Sequence, residues 1–371
     1  MQVDSIQVDR VLTPSTSDEL SALMREEAGT VAPVGAGTQL TLGNPLRSVD
    51  AVIETRRLDR ITEYVPADLT IHVESGLRLH QLEAALGEHK QMLPLDPWTG
   101  SDATIGGIVA TNSQGPLRAV GTVRDWIIGM HVVHAGGRSS KTGGRVVKNV
   151  SGYDLAKLYT GSLGSLAVIS EISFKLRATF EATATARLEV ADVASASQVV
   201  RQIRTGPVEP ISLVWCGPRH TIVVRFGGHP SAVAWQLDNL PEGDWTHFDQ
   251  EVEAGVWDDV RTHYQGLIEP VVRVGALPSQ VHGILERYKP QSWIVHAANG
   301  IVLMTVDPED IPIIRQEFPA ILERAPIEVR RRIPTFGVTG DEYDLMRRMK
   351  ATFDPDCRLN PGRHVDGERP E

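Results

Sequence analysis

Three short segments rich in glycine and other small residues are the features of this sequence best suited to chemistry. They span residues 33–38, 103–112 and 148–154, and each lies beside an apolar run. Glycine has no Cβ, so its backbone N–H can approach a phosphate oxygen closely and its φ can be positive. One such segment alone could be only a turn. Three of them, spaced as strand–loop pairs within the first 160 residues, predict one large cofactor that carries phosphate.

The spacing of the first segment argues against a nicotinamide-type dinucleotide site. That fingerprint requires Gly-x-Gly-x-x-Gly at the opening of a helix. Here Gly35-Ala36-Gly37 is followed by Thr38-Gln39-Leu40-Thr41-Leu42-Gly43, which places the third glycine too late. The segment is therefore either a plain turn or a phosphate loop of another kind.

The second segment offers more polar groups. Thr104 has a hydroxyl, Gly106 and Gly107 offer two adjacent backbone donors, and Thr111 and Asn112 add polar side chains. A strand corner built from small residues is the structural alternative. Read as a turn beside an apolar run, this segment predicts a second wall of the same site.

Composition limits the class of protein. A net charge of −10 argues against nucleic acid or an anionic membrane as the main partner. No apolar run approaches the roughly 20 residues of a spanning helix, and no secretion signal is visible, which predicts the cytosol or the inner face of a membrane. Cys216 and Cys357 are the only cysteines, too few for an iron–sulfur cluster, so such a centre must lie on another chain.

Local patterns predict an α+β chain of two domains. The character of the sequence changes near residue 178, where an alanine- and threonine-rich run reads as a boundary strand. Helices are predicted within 11–30 and at 78–87, 155–159, 192–204, 232–240 and 341–353, and strands at 30–34, 51–54, 69–74, 126–133, 166–174, 211–214 and 222–224. The regular strand–helix rhythm of a nucleotide-binding sheet is absent.

The motifs, taken in order, resemble a known family. Pro-Val-Gly-Ala-Gly-Thr, Ala-Thr-Ile-Gly-Gly-Ile-Val-Ala-Thr-Asn and Gly-Ser-Leu-Gly-Ser-Leu-Ala-Val-Ile-Ser-Glu-Ile are similar to the FAD-binding domain of the vanillyl-alcohol oxidase and p-cresol methylhydroxylase superfamily. More narrowly, residues 123–126, 144–155 and 353–363 resemble the FAD-binding subunits of glycolate oxidases. The resemblance implies a two-subdomain FAD-binding domain of the p-cresol methylhydroxylase (PCMH) type over 1–178, a smaller α+β cap over 179–340, and a helix and tail over 341–371 that return to the FAD domain.

The resemblance also implies which residues bind FAD. The first loop, from Val34 to Gln39, would hold the pyrophosphate through backbone N–H groups. The remaining cofactor residues implied are Pro97, Ala103, Thr104, Gly106, Gly107, Thr111, Asn112, Gly164, Val168, Ile169 and Asn360. Covalent attachment in this superfamily uses a histidine near the first loop. No histidine lies between Met1 and Val49, so we expect noncovalent FAD.

The activity implied is oxidation of glycolate or D-lactate to the 2-oxo acid. Lys148 and Tyr153 are the stronger catalytic candidates, and Lys148 is expected to stabilise negative charge on the reduced flavin; the structural alternative for Tyr153 is simple packing with a satisfied hydroxyl. Arg273 could bind the substrate carboxylate or form a structural ion pair. The run Arg330-Arg331-Arg332 could face flavin, substrate or a partner, or simply be solvated.

One departure from the family bears on the role of the chain. Catalytic members carry a histidine-rich metal motif, whereas His296-Ala297-Ala298-Asn299 offers one histidine and no acid, so we expect no metal and a packed or surface His296. Leu163 also replaces the glutamate of the family's Gly-Ser-Glu-Gly. These departures predict an accessory electron-relay subunit, partnered by a homologous FAD-binding catalytic subunit and an iron–sulfur subunit. The alternatives are a stand-alone FAD-dependent 2-hydroxy-acid or sugar oxidoreductase and a non-catalytic assembly subunit.

Overall fold

The computed structural model describes residues 1–144, 154–337 and 340–365, which divide into two compact units. Unit 1 contains Met1–Gln114, Thr122–Ala178 and the chain from Arg330 onward, and unit 2 contains Gly115–Gly121 and Thr179–Val329. The sequence did not predict that Gly115–Gly121 belongs to unit 2. Lys148 and Tyr153 lie outside the described residues.

The strands and helices are numbered in chain order. The strands are β1 (Gln2–Val3), β2 (Ile6–Gln7), β3 (Val11–Leu12), β4 (Val31–Val34), β5 (Ala51–Glu54), β6 (Ile61–Val65), β7 (Thr70–Glu74), β8 (Gln91–Met92), β9 (Ile127–Val133), β10 (Ser139–Gly143), β11 (Val168–Lys175), β12 (Arg177–Ala178), β13 (Ala182–Glu189), β14 (Ser212–Gly217), β15 (Thr221–Gly228), β16 (Thr246–Asp249), β17 (Val271–Gly275), β18 (Trp293–His296), β19 (Ile301–Thr305) and β20 (Ala320–Arg324). The helices are α1 (Ser17–Glu26), α2 (Leu79–Gly87), α3 (Ile105–Thr111), α4 (Val123–Trp126), α5 (Ala156–Tyr159), α6 (Val193–Thr205), α7 (Pro230–Asp238), α8 (Glu253–Gln265), α9 (Val281–Tyr288), α10 (Ile311–Glu317), α11 (Ile327–Arg332) and α12 (Asp341–Phe353).

Unit 1 is built on two principal sheets that share a core. The first is a parallel sheet of three strands in the order β3-β5-β4, and the second is an antiparallel sheet of five strands in the order β10-β9-β11-β7-β6. Helix α1 begins after Thr16, whose hydroxyl accepts from the N–H of Glu19 at 3.1 Å. Its apolar face buries Leu20 and Met24 in a cluster that contains residues of both sheets. This shared core holds the two subdomains of unit 1 together.

The end of the chain pairs with the first sheet of unit 1. The N–H of Val31 in β4 donates to the carbonyl of Arg358 at 2.8 Å, and the N–H of Asn360 donates back to Val31 at 2.9 Å. The Arg358 side chain also donates to the carbonyl of Ala135 at 2.7 Å, in the turn between β9 and β10. A segment more than 300 residues away in sequence is thereby fixed beside the loop that follows β4.

Unit 2 contains one large antiparallel sheet. Its eight strands have the order β16-β13-β15-β14-β18-β19-β17-β20. The sequence predicted only three of them, because strands such as β18 and β19 are short continuous apolar runs without alternation, which periodicity cannot distinguish from buried helix. Within the described residues of both units, no helix is long and apolar enough to cross a membrane.

Candidate functional site

Unit 1 contains an open cavity of about 900 Å³, a volume that includes the solvent space at its mouth. All the predicted cofactor residues line it except Pro97 and Asn112. Asn112 instead ends helix α3 in the left-handed conformation, with φ of +51°. The lining residues that the sequence did not indicate are Val3, Ala32, Pro33, Leu40, Leu42, Thr55, Ser75, Thr99, Ile108, Ala110, Leu163, Ala167 and Arg363.

The loop after β4 presents a run of unpaired backbone donors to this cavity. The N–H groups from Gly35 to Gln39 donate to no acceptor within residues 1–144, 154–337 and 340–365. Gly37 has a φ of +74°, which a glycine adopts without strain. Backbone N–H groups in a folded protein normally have a partner, and successive N–H groups in a turn make an anion-binding concavity. The loop is therefore suited to a phosphate-bearing ligand.

Gly35 is required where the loop meets helix α3. A Cβ at this position would lie 2.0 Å from Oγ1 of Thr104, far inside van der Waals contact. Thr104 is the N-cap of α3, and its Oγ1 accepts from the N–H of Gly107 at 3.3 Å. The loop and the start of the helix consequently form two adjoining walls of one cavity.

The prediction that Gly106 and Gly107 offer free donors is wrong. The segment is a helix rather than a turn, and its first N–H groups already have protein partners: Gly106 donates to Ser75 O at 2.7 Å and Gly107 to Thr104. Gly106 is needed for packing, because its Cβ would lie 2.6 Å from that of Ser75. Ile105, Ile108 and Val109 recur at helical spacing after an N-cap threonine, a signal that could have identified the helix.

A third wall of the cavity is formed by residues 163–164 and Asn360. Asn360 Nδ2 donates to the carbonyl of Leu163 at 2.7 Å. Gly164 has a φ of +65°, and a Cβ there would lie 3.2 Å from the same Nδ2 atom. Lys350 fixes both segments, because its Nζ donates to the carbonyls of Ser165 and Leu359 at 2.8 Å each. Sequence reasoning missed Lys350, which has no motif around it.

A buried charge cluster adjoins the same cavity. The Asp4 carboxylate pairs with Arg330 at 2.9 Å and with Arg363 at 3.0 Å, and all three side chains are at most 5% exposed. Burial is the main cause that lowers the pKa of Arg363. Of the three consecutive arginines, Arg330 is therefore a buried ion-pair residue, and the expectation of a solvated run is wrong for it. Arg331 is exposed and donates to Ser5 Oγ at 3.2 Å.

The predicted residues of unit 2 have defined surroundings. Arg273 lies on β17, and its Nε donates to the Glu323 carboxylate at 2.8 Å. His296 is buried at the end of β18, and burial together with the charges of Arg118 and Arg273 lowers its pKa to about 3. The imidazole is therefore neutral. Within the described ranges, no three histidine, cysteine, aspartate or glutamate side chains are grouped so as to hold a metal ion.

Comparison with protein families agrees with the location of the cavity. Residues 8–143 match the family described as FAD binding domain, and residues 336–364 match the C-terminal domain of FAD linked oxidases. These two regions contain the β4 loop, helix α3, Asn360 and Arg363. The chain thus carries the FAD-binding domain of FAD-linked oxidoreductases.

Among curated proteins, the chain is 35% identical over 181 residues to the glycolate oxidase subunit GlcE of Escherichia coli, a match that covers 48% of this chain and 50% of that protein. It is 32% identical over 222 residues to the glycolate oxidase subunit GlcD of Bacillus subtilis (58% and 47% covered). It is 36% identical over 172 residues to the D-lactate dehydrogenase of Archaeoglobus fulgidus (45% and 38% covered). The matches span half or less of the length of these relatives.

Solved structures share the fold at low identity. A 4-ethylphenol oxidase from Gulosibacter chungangensis has a TM-score of 0.72 at 14% identity, covering 100% of this chain and 91% of that one. p-Cresol methylhydroxylase has a TM-score of 0.70 at 15% identity, covering 96% and 88%. The α+β fold of the PCMH type, expected from the sequence, is confirmed.

Proposed function

The chain carries the FAD-binding domain of FAD-linked oxidoreductases. We propose that it is an FAD-binding subunit of a complex that oxidises glycolate or D-lactate. In this proposal residues 1–178 and the tail 341–371 hold the cofactor, and residues 179–340 form the cap. The observation that supports it most directly is the run of unpaired N–H groups from Gly35 to Gln39 in the wall of the cavity. A dinucleotide diphosphate supplies the acceptors that such a run lacks.

The residues of unit 1 could hold the cofactor without a covalent bond between the flavin and a side chain. The loop amides would bind the diphosphate, and Thr104 would keep the loop against helix α3. Asn360 and Gly164 would shape another wall of the cavity. FAD, when bound, supplies a two-electron acceptor for the oxidation of a 2-hydroxy acid.

We propose that the cofactor is held noncovalently. The described lining of the cavity contains no histidine, cysteine or tyrosine, the side chains able to bond to a flavin. Denaturing the purified protein should therefore release all of its flavin into the supernatant. Flavin that stays with the precipitated chain would contradict this part of the proposal.

Arg273 remains the proposed ligand for a substrate carboxylate. Only its Nε is engaged by Glu323, and its two Nη groups have no hydrogen-bond partner in the described chain. A guanidinium in this state can still donate two parallel hydrogen bonds to a carboxylate.

The environment of His296 favours an accessory role. Burial is the main cause that lowers the pKa of this imidazole, and the charges of Arg118 and Arg273 lower it further. Among the described residues, His296 belongs to no group of three histidine, cysteine, aspartate or glutamate side chains that could hold a metal ion. We therefore propose that substrate oxidation depends on a homologous FAD-binding catalytic subunit, with electrons leaving through an iron–sulfur subunit. In this proposal the chain is cytoplasmic and reaches the membrane only through its partners.

The test is the visible spectrum of the purified chain, followed by anaerobic addition of glycolate and then of D-lactate. The proposal predicts bound flavin whose absorbance persists with the chain alone and bleaches when the catalytic partner is added. Bleaching without a partner would favour a stand-alone oxidoreductase over the accessory role. Purification without any flavin, and failure to bind added FAD, would contradict both and leave an assembly subunit.

A further inference from the structure

Unit 2 contains an open groove that the proposed function does not use. The groove is lined by residues of helices α6 and α9, by residues 278–279 before α9, by Trp215 of β14 and by Ala297 after β18, and we call it the α6–α9 groove. Its volume is about 1080 Å³, which includes the solvent space at its mouth. All of its described lining belongs to unit 2, whereas the cavity assigned to FAD is lined by residues of unit 1. The two sites therefore share no residue.

The lining of the α6–α9 groove is basic, although the chain as a whole is acidic. Arg201 and Arg204 of α6 line the groove, and both residues are exposed. The described lining contains no aspartate or glutamate, while the full chain has a net charge of −10. Within the described residues, neither guanidinium has a hydrogen-bond or ion-pair partner. Two like charges one turn apart on a helix repel each other, and an anion bound to both would offset that repulsion.

The two arginines share one face of α6 with Ser197. These three positions are spaced four and three residues apart, so their side chains are neighbours on the helix surface. Ser197 Oγ lies 3.3 Å from Nδ1 of His282, a contact that joins α6 to α9 across the lining of the groove. Other residues of α6 are buried in unit 2, among them Val199 and Ile203. The arginines are therefore carried by a packed helix rather than by a loop.

A buried hydrogen-bond donor without a partner also lines the groove. Trp215 is 1% exposed, and its indole Nε1 has no hydrogen-bond partner among the described residues. An indole N–H can only donate, and a buried donor without an acceptor is unfavourable. Buried polar groups in folded proteins normally have a partner. An oxyanion in the groove would supply acceptors for this indole as well as for the two arginines.

We propose that the α6–α9 groove binds a small organic dianion. Arg201 and Arg204 pair with its oxygens, and Trp215 Nε1 donates a hydrogen bond to it. The groove is also lined by apolar residues, such as Val200 and Val281, which suit a ligand with a short hydrocarbon part. Phosphate monoesters and dicarboxylates share this chemistry. The site goes beyond the proposed function and does not depend on the FAD site.

The experiment is isothermal titration calorimetry of the full chain as purified, with glycerol phosphate and succinate as probes. Both carry about two negative charges near neutral pH. We expect a dissociation constant below about 1 mM for at least one of them. Tighter binding of glycerol phosphate would identify a phosphate ester as the ligand class, and tighter binding of succinate a dicarboxylate. Propionate, which has one charge, and glycerol, which has none, should bind at least about tenfold more weakly than the matching dianion.

Variants locate the site within the chain. Arg201→Met and Arg204→Met should each weaken binding of the dianion about 5- to 10-fold, as expected for loss of one charge-assisted interaction at an exposed position. The double variant should show no measurable binding. The matched control is Arg261→Met on α8, which removes an arginine of unit 2 outside the groove lining and should leave binding unchanged. Because Arg201 and Arg204 are exposed, their replacement should not prevent folding, which denaturant titration verifies.

A second readout follows the buried donor itself. In protein labelled at the tryptophan indole nitrogen, the Trp215→Phe variant identifies the Trp215 N–H signal in the NMR spectrum by its absence. Saturating dianion should shift this signal in the wild type, because the N–H gains an acceptor. Trp215→Phe keeps an aromatic ring and loses the donor, so it should bind the dianion about 2- to 10-fold more weakly. The shift in the wild type does not depend on the stability of the variant.

Three results would overturn this inference. The first is a dissociation constant above about 1 mM for both probes. The second is a double arginine variant that binds the dianion as tightly as Arg261→Met, which would place the bound anion elsewhere on the chain. The third is a Trp215 signal that stays unmoved at saturation. None of these results bears on the FAD site, which is tested separately by the flavin content of the purified chain.

Discussion

The buried ion pair between Lys350 and Asp354 offers the sharpest test of how the cavity is held in shape. Lys350 Nζ lies 2.5 Å from Asp354 Oδ2, and the two side chains are 1% and 0% exposed. The same Nζ donates to Ser165 O and Leu359 O, which adjoin Gly164 and Asn360 in the cavity wall. We expect Lys350→Met to destabilise unit 1 and to loosen both segments.

The size of the effect follows from what the substitution leaves behind. The Asp354 carboxylate would keep only the N–H groups of Arg358 at 3.0 Å and Leu359 at 2.8 Å. Removing one partner of a buried ion pair costs about 3–5 kcal/mol, because the remaining charge is uncompensated. For a unit of about 200 residues this corresponds to a fall in melting temperature of roughly 6–20 °C.

The assay is urea unfolding of the flavin-loaded protein, followed by flavin release. A chain of two units can unfold in more than one step, and flavin release identifies the step that belongs to unit 1. The matched control is Lys157→Met, which removes an exposed i,i+3 pair with Asp154 and should cost no more than about 1 kcal/mol. The double variant Lys350→Met with Asp354→Asn should recover part of the loss, because no bare charge remains.

Two results would refute this reasoning. One is a Lys350→Met variant that loses no more stability than Lys157→Met, which would mean that the buried pair is energetically equivalent to a solvated one. The other is a double variant that is less stable than Lys350→Met alone. In that case the cost would arise from lost packing of the lysine stem rather than from an unpaired carboxylate.

Two further predictions concern the loop and two histidines, the buried His296 and the half-buried His364. Gly35→Ala should abolish retention of FAD, measured by the visible spectrum, since the added Cβ would lie 2.0 Å from Thr104 Oγ1. The control Gly87→Ala, whose Cβ meets nothing within 4 Å, should retain FAD. An unchanged flavin content in Gly35→Ala would contradict the requirement for glycine where the loop meets helix α3. Stability should fall as pH drops from about 6.5 towards 4, because burial lowers the pKa of His296 to about 3 and that of His364 to about 4, so that only the unfolded chain takes up these protons. Full linkage amounts to about 1.4 kcal/mol per histidine per pH unit, measured by denaturant titration at pH 7 and pH 5, and replacing both histidines by Gln should flatten the difference.

Local patterns were sufficient for many elements of the fold. Helix α12 has the bounds Asp341–Phe353 that its sequence predicts, and strand β5 occupies the predicted residues 51–54. Capping groups and apolar spacing act between residues three or four apart, so the sequence contains them directly. The central strands of unit 2 were missed because a short apolar run carries no period.

Side-chain partners required the tertiary structure. Nothing near Gly106 in the sequence shows that its N–H donates to the carbonyl of Ser75. This hydrogen bond occupies a backbone donor that the motif had predicted to be available to a ligand. The converse holds for the β4 loop, whose N–H groups find no acceptor within the described residues. Whether a backbone donor is available depends on which distant segment packs against it.

The sequence by itself determined that this chain has a glycine loop after a strand and a second small-residue segment, since both depend on residue types at short spacing. The FAD-binding fold followed from the resemblance of its motifs to a known family. Only the tertiary structure decided which charged side chains of unit 1 are paired and buried. Arg330 and Arg363 meet Asp4 across more than 320 residues, and Lys350 meets Ser165 across 185. Burial makes these distant pairings strong, because two charges attract far more in the protein interior than in water, and burial is a property of the folded chain rather than of any segment within it.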